Sequence, residues 1–297
     1  MRPRTRISLS AAVAVTLAAV LVPALAPATS AAARPQAGKQ AAADPEYYLA
    51  LGDSLALGVQ PDATGANKPT DDGYVDKLYA RAKLRYPGLE LVKLGCADET
   101  TTSMISGGTC SYPGGASQLQ AAETFLRQHR GKVRLVTIDI GARDVYGCIS
   151  PDGADTGCLL KGLATVGLKM PAIASRLRIA AGLKTRIIGM NYYNPALAAW
   201  ITGEDGKSQA DQSQLLAGLF NAKLAANYGF WGMRIADVAK TFRTSEKTPL
   251  VPTFLGDLPM NVFMIIAHTW MFSSAPGNYH PRSSGYDLIT DAFTAQL

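Results

Sequence analysis

Five short apolar runs rich in β-branched or aromatic residues recur along the chain: Tyr47 to Leu51, Leu89 to Leu94, Val133 to Ile140, Thr185 to Met190 and Met233 to Val238. Their length and near-continuous apolar character predict buried strands. The segments between them carry helical spacing instead. Val75, Leu78, Tyr79 and Ala82 follow an i, i+3, i+4, i+7 pattern, Leu215, Leu216, Leu219 and Leu224 follow it more loosely, and Tyr286 to Phe293 also reads as helix. Strands that alternate with helices predict an α/β protein with a parallel sheet covered on both faces. Such sheets place their sites beyond the strand C-termini. Ser54, Gly95 and the stretch Gly141 to Asp144 all stand there, after the first, second and third strands.

The N-terminus reads differently. Arg2, Arg4 and Arg6 precede an apolar run from Ala11 to Ala26, interrupted by Pro23 and followed by small residues around Ser30 to Ala33. This is the pattern of an export signal over residues 1–33, with no second long apolar segment behind it, which predicts a secreted, extracellular protein without stable membrane insertion. Residues 34–44, Ala-rich with Pro35 and Gly38, read as a disordered leader, and 45–297 as a single domain expected to be monomeric. Residues 1–33 hold three arginines and no acids, so without them 26 basic residues face 23 acidic ones, a net charge of +3. No Lys/Arg cluster is interleaved with aromatics, and nucleic acid is excluded as the expected partner.

Cys96, Cys110, Cys148 and Cys158 are the only cysteines. In an exported chain they predict disulfides; Cys96 with Cys110 and Cys148 with Cys158 would close the shortest loops, though spacing alone leaves all three connectivities open. A zinc site is disfavoured because no Cys-x-x-Cys spacing exists.

Gly52-Asp53-Ser54, between a strand and an expected helix, suits a nucleophile: a sharp turn lifts the hydroxyl above the sheet next to backbone donors. Asp and Ser are also favoured helix N-caps, so the tripeptide alone decides little. A base must come from three histidines. His129 lies in a polar helix end, and His268 in an apolar helix-like stretch that suits packing. His280 lies in the polar loop Gly277-Asn278-Tyr279-His280-Pro281, where a general base can be presented to a nucleophile on another loop.

These segments together resemble the GDSL, or SGNH, hydrolase family over Tyr47 to Phe293. The resemblance rests on Leu49 to Gly58 around Ser54, Lys93 to Thr101 around Gly95, Val136 to Asp144, the His280-Pro281 loop with Gly285-Tyr286, and Gly189 to Tyr193. It implies a flavodoxin-like three-layer α/β/α sandwich with a five-stranded parallel sheet, hydrolysis of a small-molecule or lipid ester through an acyl-enzyme, and no cofactor or metal. Ser54 would be the nucleophile, His280 the general base, and the amides of Ser54 and Gly95 the oxyanion donors.

Two positions depart from that pattern. Arg143 stands where the family carries an oxyanion-hole Asn, and it could donate itself or pair with Asp144 or another carboxylate. Gly277 stands where the family carries the Asp that orients the histidine. A backbone carbonyl near Gly277 or Asn278 would have to accept the Nδ1 proton, leaving a Ser54–His280 dyad; Asp257 and Asp287 are the other carboxylates to consider. The two departures keep open a rival reading, an impaired SGNH-fold protein that binds a lipid or carbohydrate, and a third, an acyltransferase using the same residues. The loops Gln60 to Asp72, Met190 to Ser208 and Leu250 to Leu258 are expected to wall the cleft, with Tyr192, Tyr193 and Trp200 as an apolar surface.

Overall fold

The computed structural model describes residues 45–150, 153–272 and 277–297. The signal segment 1–33 and the leader 34–44 expected above lie outside them. The five apolar runs form the strands of one sheet: β1 (Glu46–Gly52), β2 (Leu89–Lys93), β3 (Val133–Asp139), β4 (Arg186–Met190) and β5 (Arg234–Ala236). Their order is β2-β1-β3-β4-β5, with every neighbouring pair parallel. The chain moves from β1 outward to β2 and then crosses back to β3. The loops after β1 and β3 therefore diverge at this switch in direction, which opens a crevice at the sheet edge.

Helices cover both faces. α1 (Tyr74–Arg85) and, at the end of the chain, α9 (Ser283–Thr294) pack together on one side, where the rings of Tyr74 and Phe293 stack at 4.7 Å. On the other side lie α3 (Gln118–Gln128), α5 (Thr156–Ala181) and α6 (Glu204–Phe230). Shorter helices occupy the loops: α2 (Thr101–Ser106), α4 (Ala142–Tyr146), α7 (Val238–Thr241) and α8 (Met260–His268). The helix starts follow local chemistry. Thr100 and Ser103 form a reciprocal capping box at α2, and Ser117 and Asp155 accept from backbone amides at α3 and α5.

The core is the sheet's own side chains. Leu49, Leu51, Val136 and Ile138 are fully buried, and each contributes about 1.5–3 kcal/mol. α1 buries Val75, Leu78 and Ala82 as its periodicity predicts. α6 exists where expected but turns differently: Leu215 and Leu219 face outward, while Ala210, Phe220, Leu224 and Tyr228 cover the sheet. Loose spacing located that helix without fixing its face, because packing selects among nearby stripes. α5 is long and apolar enough to cross a membrane by length and composition, the only such helix among the described residues. Here its stripe of Val166, Met170, Ile173 and Leu177 is fully buried in the domain core.

No helix follows Ser54 directly. Residues 54–58 form tight turns, with Val59 donating to the Ser54 carbonyl at 3.1 Å and Gly58 to that of Leu55 at 3.0 Å. Both disulfides bracket the loops at this edge. Cys96–Cys110 ties the loop after β2 to the α2–α3 connection, and Cys148–Cys158 ties the end of α4 to the start of α5. Loops of this length gain on the order of 3 kcal/mol from such a bond.

Candidate active site

Ser54 sits one residue beyond a turn that the sheet holds from several directions. Gly52 donates its amide to Gln118 Oε1 at 2.7 Å, and its carbonyl accepts from Gln118 Nε2 at 2.9 Å and from the Cys96 amide at 3.1 Å. The Asp53 amide donates to Asp139 Oδ2 at 3.1 Å, and Asp53 Oδ1 accepts from the Leu55 amide at 2.9 Å. Gly52 is required here. Its φ is +143°, and a Cβ would stand 2.3 Å from Asp139 Oδ1. Asp139 also accepts from the Tyr74 hydroxyl at 2.5 Å.

Asp53 and Asp139 are both buried, at 3% and 0% exposure, with their carboxyl groups in hydrogen-bonding contact. Burial pushes Asp53 up to about 6, and burial next to the Asp53 charge pushes Asp139 well above the usual carboxylate range. Two close carboxylates cannot both ionise out of water, so Asp139 holds the proton and donates it to Asp53. Asp139, Tyr74 and Gln118 belong to the site without being singled out by any motif in the sequence. An Asp among the apolar residues of β3 is the signal that marks the first of them, since acids are depleted in buried strands.

His280 reaches Ser54 from the far end of the chain. Its Nε2 lies 3.0 Å from Ser54 Oγ. Its Nδ1 lies 2.8 Å from Asn278 Oδ1, which also accepts the His280 backbone amide at 3.1 Å. That second bond fixes the chemistry. A backbone N–H only donates, so the Asn278 atom facing it is the oxygen, Nδ1 carries the proton, and Nε2 is left free to accept from Ser54. The expected backbone carbonyl is thus replaced by a side chain. Gly277 faces open space, Asp287 is paired with Lys77, and Asp257 lies exposed on a hairpin.

The His280 loop is pinned on several sides. Tyr193 donates to the Tyr279 carbonyl at 2.6 Å, Trp270 donates its amide to the His280 carbonyl at 2.9 Å, and Asn278 Nδ2 donates to Asn67 Oδ1 at 2.8 Å. Burial holds His280 down to about 4, with smaller opposing effects of the Asp98 and Arg143 charges, so it is a neutral base near pH 7. The other histidines are engaged elsewhere. His129 stacks on Phe125 and lies within hydrogen-bonding distance of its carbonyl, and His268 bonds Ser284 Oγ at 2.9 Å.

Gly95 follows β2 beside the turn that carries Ser54, and a Cβ there would lie 2.8 Å from that of Ala56. Among the described residues neither the Ser54 nor the Gly95 amide donates to a protein acceptor, whereas the adjoining Asp53, Leu55 and Cys96 amides all do. Two free donors beside a nucleophile are what an oxyanion needs. Arg143, on α4, pairs through Nε with Asp98 Oδ1 at 3.2 Å rather than with Asp144, which accepts from the Thr101 amide and hydroxyl. Asp98 has a left-handed φ of 62°.

A small cleft lies over Ser54, lined by Asp53, Leu55, Asp98, Ala142, Arg143, Tyr146 and Tyr279. The three loops expected to wall it do not. The Gln60–Pro61 and Asn67–Lys68 ribbon instead supports Asn278, and Tyr192 and Tyr193 are core residues at 1% and 2% exposure. Trp200 is half-buried against the core. No group of three or more metal-ligating side chains occurs among the described residues.

No family model and no curated protein matches the chain. Solved structures do. An extracellular lipase from Streptomyces rimosus aligns with a TM-score of 0.55 at 19% identity, covering 85% of this chain and 100% of that one. A phospholipase A1 from Streptomyces albidoflavus aligns at 0.53 and 15%, covering 86% and 100%. A variant of an acetyl xylan esterase from Geobacillus stearothermophilus aligns at 0.50 and 18%, covering 84% and 94%. The chain has the SGNH hydrolase fold. In this SGNH fold the residues singled out in the sequence, Ser54, Gly95, Arg143 and His280, all converge on one crevice.

Proposed function

We propose that this protein is an exported carboxylic ester hydrolase that acts through an acyl-enzyme on Ser54, with His280 as general base and Asn278 holding the base in its working tautomer. The observation that carries the reading is the hydrogen-bond relay from Ser54 Oγ to His280 Nε2, 3.0 Å, and from His280 Nδ1 to Asn278 Oδ1, 2.8 Å. The structural neighbours, among them a lipase, a phospholipase and an esterase, support the reaction class. The two disulfides and the N-terminal pattern support export.

In the first half-reaction Ser54 Oγ attacks the acyl carbon while its proton passes to His280 Nε2. The Ser54 and Gly95 amides receive the developing oxyanion, and the imidazolium then protonates the leaving alkoxide. Water repeats the sequence on the acyl-enzyme, giving acid and free Ser54. Asn278 cannot offset the imidazolium charge as a carboxylate would, and it contributes orientation alone. Arg143 supplies the third donor. Its exposed pair with Asp98 is worth about 0–1 kcal/mol, less than the roughly 1.5–3 kcal/mol of a hydrogen bond to a charged group, so a developing oxyanion competes well for the guanidinium.

The test is hydrolysis of short-chain aryl esters by the exported chain. Ser54→Ala is expected to lower kcat by at least about 10⁴-fold, and a serine-directed phosphonate to label Ser54. An unmutated protein that is inert over a broad ester panel and leaves Ser54 unlabelled would favour the rival reading, a non-catalytic ligand binder on the same scaffold.

A further inference from the structure

The hairpin between α7 and α8 ends in two apolar residues. Its strands pair Leu250–Thr253 with Gly256–Pro259, leaving only Phe254 and Leu255 to make the turn. Neither residue needs positive φ, because the Gly256 that follows takes that conformation, at φ +93°. Thr253 also holds the turn: its hydroxyl donates to the Gly256 carbonyl at 2.8 Å and accepts from the Leu255 amide at 3.0 Å. The tip is thereby free to carry two large apolar side chains. Phe254 is 86% exposed.

The tip does not stand alone. The ring of Phe272, also exposed, lies 6.1 Å from that of Phe254; Leu255 at the turn and Leu250 at the base of the hairpin are exposed as well. The patch adjoins the candidate active site. Phe272 lies two residues past Trp270, whose amide bonds the His280 carbonyl, and Arg282 bridges the same strip by donating to the Thr269 and Phe272 carbonyls. The charged groups nearby balance: Arg282 sits over the Trp270 ring at 4.0 Å, and Asp257 lies exposed on the hairpin itself.

We propose that this hairpin tip, with Phe272, is an insertion point that docks the protein on the surface of aggregated lipid and so brings the Ser54 crevice to ester substrates held there. A tip of Phe254 and Leu255 with the Phe272 ring beside it is too small for a stable protein interface, which needs about 800 Å² per partner. It suits the interfacial zone of a bilayer, where aromatic and leucyl side chains partition while charged neighbours stay in water. The balance of Arg282 and Asp257 makes the attraction apolar, so a zwitterionic surface suffices. The inference deepens the ester-hydrolase reading by naming the physical state of the substrate, and it rests on that reading for turnover but not for binding.

The full chain is to be mixed with vesicles of phosphatidylcholine alone, and binding followed by co-sedimentation and by the fluorescence of a Phe254→Trp variant with brominated lipid. Binding that survives about 0.5 M salt and quenching of the introduced indole are expected. The double variant Phe254→Ser, Leu255→Ser should partition at least about tenfold more weakly while its turnover of a soluble short-chain ester is unchanged, and Phe272→Ser should weaken partitioning by a smaller factor. Failure of the unmutated chain to bind, binding lost in salt, or a double variant that binds within about twofold of it would each overturn the proposal. Vesicle binding by a chain that hydrolyses no ester would overturn the proposed function and leave the docking surface standing; soluble-ester turnover without vesicle binding would do the reverse.

Discussion

The two sides of the Ser54 crevice are built to different tolerances. Behind the nucleophile, Gly52, Asp53, Gln118 and Asp139 are buried, and a lattice of short hydrogen bonds fixes the turn in a dry environment. In front of it, Arg143 and Asp98 form one ion pair with side chains 39% and 69% exposed. Buried polar lattices are costly to break, because each orphaned group loses its partner without regaining water, whereas an exposed ion pair can be exchanged for solvent at little cost. The turn that carries Ser54, the proposed nucleophile, is thus held rigidly, and the group proposed to meet the developing charge is left free to move.

The largest effects should come from the rigid side. Gly52→Ala forces a methyl against Asp139 at a φ that alanine avoids, and unfolding measurements should record a loss above about 4 kcal/mol or no folded protein at all. Asp139→Ala orphans the Asp53 amide and the Tyr74 hydroxyl and should cost about 2–5 kcal/mol in urea titrations. Asp139→Asn, a near copy of the protonated acid, should cost under about 1.5 kcal/mol; equal losses in both variants would show that the proton on Asp139 does not matter.

Between the two sides stands the Asn278–His280 pair. Asn278→Ala leaves Nδ1 without its acceptor and should lower kcat roughly a hundredfold with KM little changed, less than the ten-thousandfold seen when a protease triad holds the wrong tautomer. Asn278→Asp should raise kcat, since a carboxylate there stabilises the imidazolium. The pH profile gives a sharper readout. Burial holds His280 at about 4, below its ordinary value of 6.5, so kcat/KM for the unmutated enzyme should fall only as pH drops through about 4. In the Asn278→Asp variant that limb should move upward. The stability sign agrees: a base kept neutral by burial contributes fully above pH 6.5, and that contribution is lost as pH falls through about 4.

The smallest effects belong to the exposed rim. Arg143→Ala should lower kcat about tenfold, as loss of one of three oxyanion donors from a flexible position, and Asp98→Ala should change it less than about threefold in single-turnover assays. If Asp98→Ala matched Arg143→Ala, the pair would be acting as a unit, and the contrast between the two sides would fail.

Much of this was legible in the sequence. The apolar runs and the observed strands share the same positions, with their ends differing by a few residues; the reason is plainest for the central β1, β3 and β4, whose burial on nearly every residue leaves little alternative to an apolar composition. Ser54 and His280 could be singled out because a sharp Gly-Asp-Ser turn and a polar His loop have few other uses together. The Asn278 side chain was not legible as the orienting group. Its role depends on the ribbon that holds it through Asn67, a contact spanning 211 residues of chain, and on a local turn that aims its oxygen at the His280 amide. The cleft walls were misplaced for the same reason: loops named by their position along the chain do not reveal which of them fold over the sheet edge.

The layers, the strand positions and the two ends of the relay follow from the chain's local patterns, since hydrophobic period and turn chemistry act over a few residues. Three features wait on tertiary contacts: Asp139 lies against Asp53 and shares its proton, Arg143 turns to Asp98, and Phe254 stands exposed at a hairpin tip beside Phe272. Charge, burial and protonation are properties of a neighbourhood, and neighbourhoods are assembled from segments far apart in the chain.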